Sequence, residues 1–449
     1  MTVDTVIKNG LAVLPSGITQ SSIVINEGKI VGIVKSSEPE ADKVIDASGK
    51  VVLPGMVDMH VHLRDPGFPE RENFESGTRA AAAGGVTTVI DMPNTVPATV
   101  TLEAFKEKRK IADGKSLVDF GFIGGAGEVS HEDMISLVDA GATAFKSFLI
   151  ARFKELAASD YTLYKHMQLL GELDRPLLVH AENGDMVDKF MEEAVASGRT
   201  DPVAHCDFRP AICEVEATMR TITLAADTDV HLHICHMTAA GAVDALEWAQ
   251  AMGQMVSGET STNYLLFTRE TMKERGPYAK VDPPLRGKED QLRLWTGLNT
   301  GVIDVLASDH APYTKEEKER GWDNIYDAPS GGVVIETTLP LMLDAVNKDR
   351  ISLDRLVEVF STNPAVMNGL YPKKGDLIPG ADADIVICDM DKPFHIKGEN
   401  LQTIQKITPY EDMKGKGVPV TTLVRGEIIY NDGQVIGKPG YGVFQKPLE

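Results

Sequence analysis

Gly55-Met56-Val57-Asp58-Met59-His60-Val61-His62 is a short apolar run that ends in two histidines. Read as a strand, it sends alternate side chains to one face, so His60 and His62 point the same way. Two imidazoles on one face can chelate a borderline metal such as zinc. The alternative is a pair of hydrogen-bonded core histidines. Pro54-Gly55 breaks the chain just before the run, which starts near Val52. Outward from it, further β-rich runs start near Val86, Val118, Thr143, Leu177, Val230, Met255 and Ile303. Helix-like stretches lie between them, among them Leu102 to Ala112, Glu214 to Ala226 and Ala239 to Met252. Strand and helix alternating in this way is the pattern of an α/β chain folded as a TIM (β/α)8 barrel. Most of the polar residues discussed below close such runs, the end at which barrels keep their active sites.

The two ends of the chain read differently. Val6-Ile7-Lys8-Asn9-Gly10 opens a hairpin-like turn, and Ser22 to Ile30 reads as a second hairpin around Glu27-Gly28. Asp384-Ile385-Val386-Ile387 is β-rich, and Val424 to Gly433 is a further strand with an Asn-Asp-Gly turn. We expect a catalytic barrel over residues 54–374 and a small β-sandwich domain built from residues 1–53 and 375–449. A chain of 449 residues has room for one large domain and a smaller one.

The formal net charge of −21 disfavours nucleic acid and anionic membranes as partners. The apolar and charged fractions, 43% and 25%, suit a soluble globular chain. No apolar run reaches the ~18 residues of a bilayer span, and the N-terminus lacks the basic and apolar regions of a signal peptide. Cys206, Cys213, Cys235 and Cys388 form no C-x-x-C pair or disulfide framework. Reduced thiols and a cytoplasmic location are the expectation.

Further chemistry sits at the ends of the runs. His180 closes Pro176-Leu177-Leu178-Val179-His180, and His236 closes Val230 to His236. Each alone could be a satisfied core histidine. His231 and His233 fall on the opposite face from His236 and are expected to pack outside the barrel against helices. Asp309 ends Val305-Leu306-Ala307-Ser308-Asp309. It could cap a helix, or, at a metal centre, both ligate and move a proton. Lys146 stands between Phe145 and Ser147-Phe148 within a run. An ammonium is costly to bury there, so it must snorkel, pair with an acid, or react with CO2 to give a carbamate that bridges two metals.

At these residues the chain resembles the cyclic-amidohydrolase branch of the amidohydrolase superfamily: dihydroorotases, allantoinases and hydantoinases (dihydropyrimidinases). The resemblance runs from the first strand pairs to Gly375-Asp376-Leu377-Ile378-Pro379-Gly380-Ala381-Asp382-Ala383-Asp384, which is similar to the return from barrel to β-domain. It implies two divalent metal ions, zinc being expected, held by His60, His62, a carbamylated Lys146, His180, His236 and Asp309. Two divalent ions would slightly outweigh the carbamate, Asp309 and a bridging hydroxide, leaving an electrophilic site. It further implies hydroxide attack on a ring amide, with Asp309 passing the proton to the leaving nitrogen. Some relatives keep this fold, lose the ligands and serve as non-enzymatic assembly proteins; the full ligand set argues against that here. The expected partner is a small cyclic amide or ureide, and the expected assembly a homo-oligomer, dimer or tetramer.

The choice of ring is divided. His62-Leu63-Arg64-Asp65-Pro66-Gly67, Met92-Pro93-Asn94-Thr95 and Ser308-Asp309-His310-Ala311-Pro312 resemble dihydroorotase, in which residues matching Arg64 and Asn94 hold the substrate carboxylate. Arg64 could instead pair with Asp65 or another loop acid. Glu70-Arg71-Glu72-Asn73-Phe74-Glu75 and Asp119 to Gly125 resemble allantoinase, and His180-Ala181-Glu182-Asn183-Gly184-Asp185 resembles hydantoinase. Tyr313 stands where dihydroorotases usually carry histidine, and Asp282 where they carry asparagine. Thr262-Asn263 departs from the usual Pro-His or Pro-Gln. An acid at Asp282, facing the ring, would disfavour a carboxylate. The sequence leans to a dihydroorotase-like activity, with allantoinase or hydantoinase as the alternative and Arg64, Asn94, Asp282 and Tyr313 as candidate substrate contacts.

Overall fold

The computed structural model describes residues 2–448. Its central sheet has eight parallel strands: β1 (Met56–Val61), β2 (Val86–Asp91), β3 (Asp119–Gly125), β4 (Ala144–Phe148), β5 (Leu177–His180), β6 (Leu232–Ile234), β7 (Val256–Thr260) and β8 (Val305–Leu306). They neighbour one another in chain order. Just past β8 the ring closes on β1: His62 donates its backbone N–H to His310 O at 2.8 Å, and Val61 bridges His310. The result is the (β/α)8 barrel expected from the alternation.

Local chemistry explains where the helices start and stop. The Thr101 side chain accepts the Ala104 N–H at the head of helix Leu102–Lys115. Ser130 caps helix His131–Ala140, which ends on Gly141 at φ 102, a conformation open to glycine at little cost. The stretches read as helical near 214–226 and 239–252 are helices Ile212–Ala225 and Ala240–Ala251. Inside the ring, Met59, Ile90, Ile123, Leu178 and Val305 form a separate apolar cluster beneath the strand ends that carry the histidines.

Strands from both termini hydrogen-bond into one mixed sheet of nine strands, with its own apolar cluster that includes Ile7, Ile23, Ile25, Val52, Ile385 and Leu423. Val51–Pro54 belongs to this sheet, so the run beginning near Val52 serves two structures and the barrel strand begins at Met56. Asn9-Gly10 is not a turn. It is a register shift within strand Val3–Leu14: Asn9 takes φ 64 and bonds Asp46 at 2.9 Å, while Gly10 lies so close to Val52 that a β-carbon would clash. His231 and His233 also differ from expectation. Both contact Ser257 on β7 rather than the surrounding helices, because His236 sits past the strand end at φ 36 and no longer reports the strand's alternation.

A buried ionic knot fastens the terminal sheet to the barrel. Lys374 Nζ lies 2.5 Å from Asp119 at the start of β3, 2.8 Å from Asp382 and 2.6 Å from Asp384. Arg425 also meets Asp119. Three buried carboxylates in one place require this cation. Lys374→Met should lower the thermal and urea midpoints by an amount equivalent to ~3–5 kcal/mol, the usual cost of stranding buried charge. Unfolding curves that superimpose on the parent's would contradict this role.

Candidate active site

Six side chains converge at the C-terminal mouth of the barrel. His60 and His62, from the end of β1, have ring centroids 5.3 Å apart. Asp309, past β8, places Oδ1 3.4 Å from Nε2 of each. His180, the last residue of β5, turns Nδ1 to within 3.0 Å of His236 Nε2, and the His60 and His236 rings are 5.5 Å apart. Lys146, in the middle of β4, is 0% exposed, and its Nζ has no hydrogen-bond partner among the described residues. It neither snorkels nor pairs with an acid among the described residues; its Nζ lies over the Phe148 ring at 5.1 Å.

Backbone strain marks the same place. Arg64 (φ 61), His236 (φ 36) and Asp309 (φ 52) all adopt the left-handed region that non-glycine residues seldom enter. Each such residue costs on the order of 1–3 kcal/mol and persists where the surroundings demand it. Here the turn at each strand end aims the side chain over the barrel mouth.

Three acids not predicted as site residues brace this cluster. Glu259, on β7, meets His60 Nδ1 through Oε1 and accepts the His236 backbone N–H at 3.2 Å. Glu182 lies 2.7 Å from His180 Nε2 and is gripped by Arg209. Asp58 accepts the backbone N–H groups of His60 and Ser308, joining the first and last strands. The spacing His180-Ala181-Glu182 was the available signal for Glu182, whereas the burial that marks Glu259 shows only in the fold.

The electrostatics suit a cation. Burial drives His62 down to about 3 and also lowers His180 and His236, leaving neutral imidazoles with lone pairs to offer. Burial opposes charge on His60 too, but Glu259 and Asp309 beside it raise its pKa to about 10. Asp309, despite burial, is held well below the carboxylate range, chiefly by His60. Neutral nitrogen donors, an ionised carboxylate and an unpartnered amine form a donor set of the type divalent transition metals take. Lys146 fits the remaining role as a carbamate, which would exchange an unpaired buried amine for an anionic bidentate donor.

A cavity of about 350 Å³ opens above these residues. Arg64, Asn94, Asp282 and Tyr313 all line it, as do Arg152, Phe153 and Lys280. Arg64 is 7% exposed and lies over the Tyr313 ring at 4.5 Å. It does not pair with Asp65, whose carboxylate takes Lys115 at 2.7 Å. The Asn94 Oδ1 is buried without a partner. The Asp282 carboxylate is already engaged, 2.7 Å from Arg209 and 2.8 Å from Arg152.

A model of the amidohydrolase family matches residues 51–429. The chain belongs to that family. It is 38% identical over 446 residues to an L-hydantoinase of Paenarthrobacter aurescens, covering 98% of this chain and 97% of that one. It is 36% identical over 455 residues to an allantoinase of Salmonella choleraesuis (strain SC-B67), covering 99% of each. Among solved structures, the L-hydantoinase (dihydropyrimidinase) of Arthrobacter aurescens superimposes with a TM-score of 0.96 at 37% identity, covering 99% of this chain and 100% of that one. The lean toward dihydroorotase therefore gives way to its alternative. The reason lies in which motifs were weighed: Arg64 and Asn94 sit on loops, whereas Tyr313 and Asp282 already depart from the dihydroorotase pattern.

For this amidohydrolase, Lys146→Ala should copurify with less metal and lose nearly all turnover, and a short carboxylic acid in the buffer should restore part of both. Parental activity in that variant would remove Lys146 from the site. Asp309→Asn should keep the fold, checked by circular dichroism, and lose on the order of 10²–10⁴-fold in kcat, as expected for a general acid–base group. A loss below about tenfold would assign the proton to another residue.

Proposed function

We propose that the chain is a metal-dependent hydrolase that opens cyclic ureide rings of the hydantoin or dihydropyrimidine type. The observation that carries this is the convergence of His60, His62, His180, His236 and Asp309 around the unpartnered amine of Lys146. These residues would hold two divalent ions, with Lys146 as the carbamate between them. Zinc suits the donors, and manganese or cobalt would substitute, because donor affinity alone does not choose the ion. When bound, the metals supply Lewis acidity and a water acidic enough to attack an amide at neutral pH.

The chain's own groups do the rest. Asp309 Oδ1, 3.4 Å from Nε2 of His60 and of His62, would accept the attacking water's proton and deliver it to the ring nitrogen as the C–N bond breaks. The Lys146 carbamate would form by a bond from Nζ to the carbon of CO2, with loss of a proton to solvent, leaving an anionic group. Phe148 and Phe153 stack at 4.0 Å beside His180 and form an apolar wall against which a ring can lie. Asp282 shapes the pocket through Arg152 and Arg209 instead of offering a free carboxylate to the ring.

Allantoin, a hydantoin with a ureido arm, is the second reading. It is favoured by Arg64 and Asn94 at the pocket wall: among the described residues the guanidinium has no acid partner and donates Nε–H to Pro312 O at 3.3 Å, and the Asn94 carbonyl has no partner. A homo-oligomer, dimer or tetramer, is part of the proposal. Among the described residues no helix is long and apolar enough to cross a membrane.

A panel of hydantoin, 5-substituted hydantoins, dihydrouracil, allantoin and dihydroorotate, assayed with metal restored, tests the reading. A neutral ureide ring should be turned over best. Arg64→Ala should lower kcat/KM for allantoin by a further ~10–100-fold relative to unsubstituted hydantoin, the worth of one charge-assisted hydrogen bond. Dihydroorotate as the best substrate would overturn the proposal.

A further inference from the structure

Two buried lysines, Lys280 and Lys318, hold one wall of the pocket and take no part in the reaction described above. That wall is the segment 325–331, of which Tyr326, Ala328, Pro329, Ser330 and Gly331 border the cavity. It contains one short turn, Ile325–Asp327, and no strand. Most of its carbonyls therefore lack the partners that a helix or sheet supplies. Lys280 Nζ donates to Ile325 O at 2.9 Å and to Ala328 O at 2.6 Å. Lys318 Nζ donates to Pro329 O at 2.9 Å, to Gly331 O at 2.7 Å and to Lys280 O at 3.4 Å. Both lysines are buried. Asp282, two residues from Lys280, pairs with Arg209 and Arg152 instead.

An ammonium has three N–H donors and no acceptor. The three contacts of Lys318 are all carbonyl oxygens, which suits that form. Burial opposes the charge, drawing Lys318 well below its usual range and Lys280 to about 8. The carbonyls are what each amine holds in exchange for water. Lys280 O joins the two lysines, since it also accepts the Gly331 N–H at 2.9 Å. The segment is fixed from its other side as well. Gly331 takes φ 136, and a β-carbon there would lie 2.4 Å from Ala311 O. The Ala311 N–H donates to Gly332 O at 3.0 Å. The wall is thus clamped between two amines and the chain just past Asp309. Lys280 itself borders the cavity, whereas Lys318 stands behind the wall.

We infer that Lys280 and Lys318 are positioning residues that hold the 325–331 segment as a fixed pocket wall, and so set how tightly the substrate ring is bound. The inference rests on the hydrolase reading. Lys318 is the decisive residue, because it reaches the ring only through the wall. Without the two amines, the carbonyls of Ile325, Ala328, Pro329 and Gly331 would be left to find other donors, and the segment would rearrange to do so. The wall is present before and during the reaction alike, so its loss should weaken ring binding more than it slows the chemistry. The amines bond backbone carbonyls and not the histidine cluster, so metal binding should be unaffected.

The test is steady-state kinetics on hydantoin with metal restored, paired with hydrogen–deuterium exchange of the segment. Lys318→Met keeps the length of the side chain and removes its donors. It should raise KM on the order of 10–100-fold, the worth of a hydrogen bond to a charged group, with kcat and metal content little changed. Exchange over 325–331 should quicken while the barrel strands keep parental rates. Lys280→Met, which guards against a folding failure at Lys318, should move KM and exchange in the same direction. Variants that unfold at lower temperature yet keep the parental KM would overturn the inference, since a purely structural role predicts that pattern. A loss confined to kcat or to metal content would overturn it too. A parent that opens no ureide ring would overturn the hydrolase reading and this inference with it.

Discussion

A lysine amine sealed inside a barrel strand, with no hydrogen-bond partner among the described residues, is the constraint on which the rest depends. Lys146 Nζ has lost its water and gained no acid in exchange. An unpaired charge is costly to bury, by several kcal/mol. The surrounding groups do not relieve that cost by pairing with it. Four imidazoles and Asp309 stand around it instead, three of the imidazoles neutral through burial and the fourth drawn toward charge by Glu259 and Asp309. A carbamate on Lys146 held among divalent cations, as proposed above, would answer these features together.

The fold serves this centre in two ways. Parallel strands deliver Lys146 and His180 to the interior by simple alternation, while His236, Asp309 and Arg64 reach it through strained turns just beyond the strand ends. Beneath them carboxylates hold these side chains: Asp58 ties β1 to β8, Glu259 ties β1 to β6 through β7, and Glu182 with Arg209 holds His180. The precision of the site thus comes from the layer below these residues as much as from the residues themselves.

Much of this was legible in the sequence because strand-end histidines carry their own signal. The pair at 60 and 62, and His180 closing a run of apolar residues, are local patterns. What was not legible depends on contacts across the barrel. Alternation assigned His231 and His233 to the outside by counting back from His236, and that count fails because His236 lies beyond the strand in a left-handed turn. Glu259 and Asp58 were invisible as site residues because their partners are far away in the chain. Asp282 does line the pocket, but nothing local in the sequence shows that Arg209 and Arg152 take up its charge. The Asn9-Gly10 pair failed for the same reason: the dipeptide favours a turn, but Asp46 and Val52 hold it as a bulge in a continuous strand.

The most direct test of the central claim is a crystal structure of the metal-loaded protein with anomalous data collected at the metal's absorption edge. The account predicts two anomalous peaks roughly 3.5–4 Å apart among His60, His62, His180, His236 and Asp309. It also predicts extra density on Lys146 Nζ, of the size of a carboxylate, lying between them. A single peak, or two peaks beside an unmodified Lys146 amine, would contradict it.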